Sequence, residues 1–412
     1  MKKKALVIDN MPGNNLGKIP HELKLVLACA SGHIEKIHDL LLDSVNWDMF
    51  LQLALHHRVY PLVYDMLSQL SQATIPENIL IYLQKVCKDN VLNGLQMAAE
   101  TVRIINRLED QGIHVLILKG LPLASRLYND IALRPSKDID ILVSPSDLNK
   151  AHNLLQKDGY REIDNPYPQH SFTSKQSKVV EKFLEHAAHV GYWHDMKSIN
   201  VELHWSLGRG KRELPFPNEN DISKIDVAGY SLPVLRDEIW LNYLILHGVE
   251  HAWFRLRWLV DIAKFIERND IDWEKVFSMA ESKGVETLLL QSLILASELL
   301  NTPVPDKLQS ALASDRAAWR LAHLTLKVCI ATQEYEIKDS NGLKLSFWKN
   351  IYKIYLLKGW RNRFIYILED FKKLFSPSIY DFMTISLPDR FFGLYYILHP
   401  FCFLYRRFKK TV

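Results

Sequence analysis

Between His21 and Asp110 the apolar residues recur at three- and four-residue spacing, the period of helices that bury one face. The stretches "WDMFLQLALHHRVYPLVYDML" and "LQMAAETVRIINRLEDQG" carry the pattern most plainly, and Gly112 closes the second as a helix stop. The period then changes. "IHVLILKG" is a β-branched apolar run that predicts a buried strand, "PLASRLY" a helix opened by Pro122, and "DIDILV" a second strand. "SPSDLNKAHNLLQKDGY" predicts a capped amphipathic helix with a glycine stop. After it, "EHAAHVGYW" and "NVELHWSL" flank the polar "HDMKSI", the pattern of an antiparallel hairpin. From Arg236 the helical period returns, strongest in "EIWLNYLILHGVEHAWFRLRWLVDIAKFIE", and runs to near Ser376. Pro377, Pro388 and Pro400 are expected to break up the aromatic end of the chain.

These elements imply an α+β chain in which a short mixed sheet sits among helices. The expected divisions are a flexible tail over 1–20, a helical subdomain over 21–94, an α+β core over 95–235, a second helical region over 236–343 and a basic aromatic tail over 344–412. A length of 412 residues is enough for two or three packed units. With 48% hydrophobic and 24% charged residues, and no repeat or low-complexity tract, the chain falls outside the disordered and fibrous classes. "MKKKALVI" has lysines but too short an apolar run for a secretory signal, so a cytoplasmic protein is expected. Four scattered cysteines, Cys29, Cys87, Cys329 and Cys402, encode neither a disulfide framework nor a zinc knuckle and read as buried thiols.

Net charge is +4, unevenly spread: from Lys344 onward there are 13 Lys and Arg against 4 Asp and Glu. "RFFGLYYILHPFCFLYRRFKK" is too short in its apolar part, and too interrupted by Pro400, to span a membrane. Aromatics beside basic residues could lie at an anionic membrane surface or stack with RNA, or simply pack on the helical region with a solvated basic end.

The chemistry concentrates in and around "DIDILV". Positions two apart in a strand share a face, so Asp138 and Asp140 project together while Ile139 and Ile141 pack behind. Their mutual repulsion is relieved by a divalent cation, and Mg²⁺ suits one or two carboxylates combined with substrate phosphates. Glu202 in "NVELHW" is a third acid in a β-pattern, and three acids could hold two metals that clamp an in-line displacement at phosphorus. At Lys119-Gly120 a strand ends and a helix begins, where glycine lets backbone approach a phosphate and helix N-terminal amides face it. If the hairpin turns between Asp195 and Ser198, His189 lies opposite His204 and both share the face of Glu202. His247 and His251 stand four apart on a helix without the glutamate that a metalloprotease motif needs, which favours helix packing or an acceptor pocket over metal binding.

Lys119-Gly120, Leu127-Tyr128, Asp130, Arg134-Pro135, Asp138, Asp140, Leu142-Val143 and Glu202 to Trp205 follow one another in an order that resembles the uncharacterised bacterial nucleotidyltransferase family of the polymerase-β-like superfamily. The resemblance extends to "VNWDMFLQLALHHRVYPLVYDML", "LHGVEHAWFRLRWLVDIAKFI" and "LPDRFFGLYYILHP". It implies a small nucleotidyltransferase sheet embedded between helical regions and transfer of a nucleoside monophosphate from an NTP to a hydroxyl, most simply of a small molecule. Asp138, Asp140 and Glu202 would be the catalytic metal ligands for two Mg²⁺, with Mn²⁺ as a substitute. Glu202 could instead act as general base. Lys119, Gly120 and Arg134 would meet the triphosphate, although Arg134 could equally form a structural salt bridge to Asp130 or the acids. His189, His204 and Trp205 would border the acceptor or support the acids. In place of the superfamily's usual Gly-Ser or Gly-Gly, this chain has Gly120-Leu121, so the charge of Lys119 would stand in for a hydroxyl. That departure also fits a degenerate fold serving as a binding scaffold. An acceptor on tRNA or on a protein side chain is a third alternative.

Overall fold

The computed structural model describes residues 19–70, 75–163, 188–208, 213–268, 270–326 and 387–409, with isolated positions between 352 and 385. The 1–20 tail and the last stretch of the helical expectation, from 327 to Ser376, therefore fall largely outside the described residues. In chain order the elements are α1 (His21–Ser31), α2 (Ile34–Leu40), α3 (Trp47–His56), α4 (Tyr60–Ser68), α5 (Glu77–Glu109), β1 (Val115–Ile117), α6 (Leu121–Tyr128), β2 (Asp138–Val143), α7 (Leu148–Lys157), β3 (Arg161–Glu162), β4 (His189–His194) and β5 (Ile199–His204). They continue with β6 (Ile222–Val227), β7 (Tyr230–Leu235), α8 (Asp237–Glu250), α9 (Leu256–Glu267), α10 (Trp273–Ser282), α11 (Glu286–Leu300), α12 (Gln309–Ser314), α13 (Arg316–Thr325) and α14 (Tyr395–Lys409). The chain is α+β, as its periodicity predicts.

The described residues cluster into two compact units, one from those within 1–100, 118–136 and 217–352, the other from those within 101–117, 137–216 and 353–412. In the first unit, apolar helix faces make the core: Leu23, Phe50, Leu53, Leu67, Trp240 and Phe265 are all at most 2% exposed. Local signals set the helix ends. Asn46 accepts a hydrogen bond from the Met49 amide at the start of α3, and Asp272 accepts from Glu274 and Lys275 at the start of α10. β6 and β7 form an antiparallel hairpin in this unit, turning through Ala228 and Gly229, both at positive φ.

The second unit holds a mixed sheet in the order β3-β4-β5-β2-β1. β2 and β5 run parallel; the β1–β2, β3–β4 and β4–β5 pairs are antiparallel. One face carries Ile139, Ile141, Val143, Val190, Tyr192, Val201 and Leu203, all nearly or fully buried. α7 covers it: His152 Nδ1 lies 2.8 Å from the Tyr192 hydroxyl. That helix follows the expected amphipathic pattern and is followed by Gly159 at φ 91°, but Asp147 makes no side-chain capping bond.

One expectation fails at the chain's end. Pro400 lies inside α14 rather than breaking it. A proline there removes the amide that would have bonded the Tyr396 carbonyl, at a cost of about 3 kcal/mol, so other contacts have to hold the helix. They are visible in the part of the helix that precedes it: the Tyr395 hydroxyl accepts from the Leu387 amide and donates to the Ile385 carbonyl, and buried His399 pairs with buried Asp381. Among the described residues no helix is long and apolar enough to cross a membrane.

Candidate functional site

The other face of the second unit's sheet is polar at one end. Asp138 and Asp140 occupy it on β2, and the parallel register sets Asn200 beside Asp138 and Glu202 beside Asp140. His204 follows two residues after Glu202, and across the antiparallel pair His189 stands opposite His204 while Gly191 stands opposite Glu202. Strand alternation does this by itself: "DID" and "NVELH" put every second residue on one side. The register expected from the hairpin turn is the register observed.

Distances are short within this group. His204 Nε2 lies 3.1 Å from Asp140 Oδ1 and 3.3 Å from Glu202 Oε2, and His189 Nε2 lies 4.0 Å from the same Glu202 oxygen. The two imidazole rings are 4.7 Å apart between centroids. Burial grades across the group: the Asp140 side chain is 1% exposed, His204 6%, Glu202 23% and His189 32%. One end is thus locked in the sheet and the other is open to an arriving molecule.

Asn200 is a residue that sequence reasoning missed. Its Oδ1 is buried and has no hydrogen-bond partner, next in register to Asp138. The signal was available, since positions 200, 202 and 204 alternate onto one face. A buried amide oxygen beside carboxylates is a hard donor of the kind a divalent cation takes, so the donor set fits such an ion. Trp205 follows β5, buried, with its amide donating to the Ala188 carbonyl at 3.1 Å.

Lys119, Gly120 and Arg134 belong to the first unit. Gly120 precedes α6 at φ 77° and ψ −134°, a conformation that favours glycine, and Leu121 behind it is buried. Arg134 is buried against Asp261 of α9: Nε donates to both carboxylate oxygens at 2.9 and 3.1 Å, and Nη2 donates to Oδ2 at 2.9 Å. Its Nη1 points to the Gly120 carbonyl at 3.4 Å. The Tyr128 hydroxyl also donates to Asp261, at 3.0 Å. Burial, then the Asp261 charge, holds that phenol well above its ordinary pKa. Arg134 thereby ties the turn at Gly120 to α9.

His247 and His251 pack with aromatics. His251 stacks on Trp258 at 5.0 Å, and His247 meets the same indole edge-on at 5.4 Å. Gly248 lies between them in sequence, under the ring of Trp253, leaving no room for a Cβ.

Residues 43–301, well over half of the chain, match the protein family described as uncharacterised nucleotidyltransferase. No curated protein and no solved structure matches the chain. By that match, the chain that places Asp138, Asp140 and Glu202 on one sheet face belongs to this nucleotidyltransferase family.

Proposed function

We propose that the protein moves a nucleoside monophosphate from an NTP to the hydroxyl of a small-molecule acceptor, releasing pyrophosphate, with Asp138, Asp140 and Glu202 holding Mg²⁺. The observation that carries this is Asp140 standing beside Glu202 on neighbouring parallel strands, with Asp138 two residues earlier on the same face. Asp140 and Glu202 already share the His204 imidazole, and a divalent cation would relieve the repulsion that this leaves between the two carboxylates. Divalent ions held there would neutralise the triphosphate and favour the ionised form of the acceptor oxygen.

Glu202, about a quarter exposed, is the acid that an acceptor can reach, and it could take the hydroxyl proton. The acceptor oxygen then bonds to the α-phosphorus. The bond from that phosphorus to the bridging oxygen breaks, and its electron pair leaves with pyrophosphate. In the first unit, the Gly120 turn and the amides opening α6 are assigned to phosphate, with Lys119 supplying charge and Arg134 keeping the turn in place. Mn²⁺ would substitute for Mg²⁺. Leu121, buried and lacking the usual hydroxyl, favours the second reading, a nucleotidyltransferase fold retained as a binding scaffold.

Incubation of the protein with each α-labelled NTP and Mg²⁺, alone and with extract separated into small-molecule, RNA and protein fractions, tests both. Label entering the small-molecule fraction, and lost in Asp140→Asn, is the expected result. Absence of transfer together with absence of NTP binding would replace it with the scaffold.

A further inference from the structure

Mg²⁺ sites are built from oxygen, yet this face brings two imidazole nitrogens to the same place. One ring nitrogen each of His189 and His204 and a carboxylate oxygen of Glu202 all lie within 4.8 Å of one another. We propose that His189, Glu202 and His204 form a binding site for a transition-metal cation, of the Mn²⁺ to Zn²⁺ series, that discriminates against Mg²⁺. It rests on the reading of this face as the metal side of a nucleotidyltransferase, and adds a second metal preference at the end formed by His189, Glu202 and His204, beside the Mg²⁺ assigned to the aspartates.

Three observations carry it. The ligands sit on paired strands, His204 and Glu202 two apart on β5 and His189 opposite His204 on β4, so the backbone fixes their spacing. Gly191, opposite Glu202, puts no side chain over the carboxylate that both histidines approach. Finally, the separations are near those of a metal site. Bonds of roughly 2.0–2.1 Å at tetrahedral angles place ligand atoms about 3.4 Å apart. His204 and Glu202 already meet this at 3.3 Å, while His189 and Glu202, at 4.0 Å, need a small swing of one ring. His189 is the most exposed of the three and opens its strand, so that ring has room to turn.

Chemistry then selects the ion. Imidazole suits Fe²⁺, Ni²⁺ and Zn²⁺, with Co²⁺ between Fe²⁺ and Ni²⁺ in affinity and Mn²⁺ the weakest of the series, whereas Mg²⁺ gains little from nitrogen. Asp140 Oδ1, 3.1 Å from His204 Nε2, lies within reach as a fourth donor.

Co²⁺ is the probe, titrated into untagged, full-length protein stripped by chelator and followed by visible absorption and calorimetry without nucleotide. We expect a Co²⁺ spectrum of nitrogen and oxygen ligation, displaced by Zn²⁺ and retained in a hundredfold excess of Mg²⁺. His189→Ala, at a third-exposed position, should fold as judged by circular dichroism and weaken Co²⁺ binding by about tenfold or more. His204→Gln should do the same, and Asp138→Asn should leave the spectrum in place. Displacement of Co²⁺ by equimolar Mg²⁺, or an unchanged spectrum in His189→Ala, would overturn the proposal. Label transfer separates the two readings: transfer without the Co²⁺ site rejects this proposal alone, and a Co²⁺ site without transfer rejects the nucleotidyl reaction alone.

Discussion

Asp261 in the first unit and Asp140 in the second are equally withdrawn from water, at 0% and 1% exposed, but their surroundings differ in kind. Asp261 receives a two-pronged guanidinium from Arg134 and the hydroxyl of Tyr128. Both donors keep their protons at any ordinary pH, since arginine is always charged and the Tyr128 phenol is held well above its usual range. Asp140 instead stands beside a second carboxylate, Glu202, and shares with it one imidazole nitrogen of His204. An imidazole can exchange its proton for a metal; a guanidinium cannot. A carboxylate matched by arginine is finished as structure, while one matched by histidine beside another acid has the donor chemistry that a cation could use.

The sharpest way to break this contrast is to remove the fixed charge. Arg134→Met leaves Asp261 buried without its main partner, a change that typically costs about 3–5 kcal/mol. Urea unfolding should show that loss, and Arg134→Met combined with Asp261→Leu should recover most of it. If the single variant unfolds at the wild-type midpoint, Arg134 is not the structural half of the pair.

At Asp140 the expected loss is functional. Asp140→Asn should lower nucleotidyl transfer by roughly 10²–10³-fold, about 3–4 kcal/mol of transition-state stabilisation. Its folding stability should stay within about 1 kcal/mol of wild type, because removing a charge beside Glu202 offsets the altered bond to His204. An Asp140→Asn protein that loses stability as Arg134→Met does would erase the distinction.

Sequence revealed one side of this contrast far better than the other. β2 and the His189 to His204 register could be counted from alternation and from one hairpin turn, because strand geometry is local and has a period of two. Asp261 could not be assigned to Arg134, since 127 residues separate them and no short-range pattern encodes a helix returning to a turn. The β6–β7 hairpin escaped for a chemical reason. Its two-residue turn puts Ala228 at φ 53°, where Asn or Asp would have signalled it, and Pro233 inside β7 disguised the strand. Asn200 was passed over because an amide carries no charge, although its alternation with Glu202 and His204 was in view.

A second histidine extends the contrast at smaller scale. His204 faces carboxylates, whereas His56, at the end of α3, is edge-on to Phe254 and lies near Arg255. Burial first, and the Arg255 charge second, push its pKa down from 6.5 to about 4. Folded protein therefore keeps His56 neutral over a range where the unfolded chain protonates it. Since the unfolded state binds more protons there, stability should fall as pH drops from about 6.5 toward 4 and level off below, as far as this residue is concerned. Urea midpoints measured from pH 7.5 to pH 4 should show a shallower decline in His56→Phe, which retains an aromatic ring against Phe254. Parallel curves for the two proteins would mean that His56 protonates as readily when folded as when unfolded. Neither its burial nor Arg255 would then set it apart from the histidines that face acids.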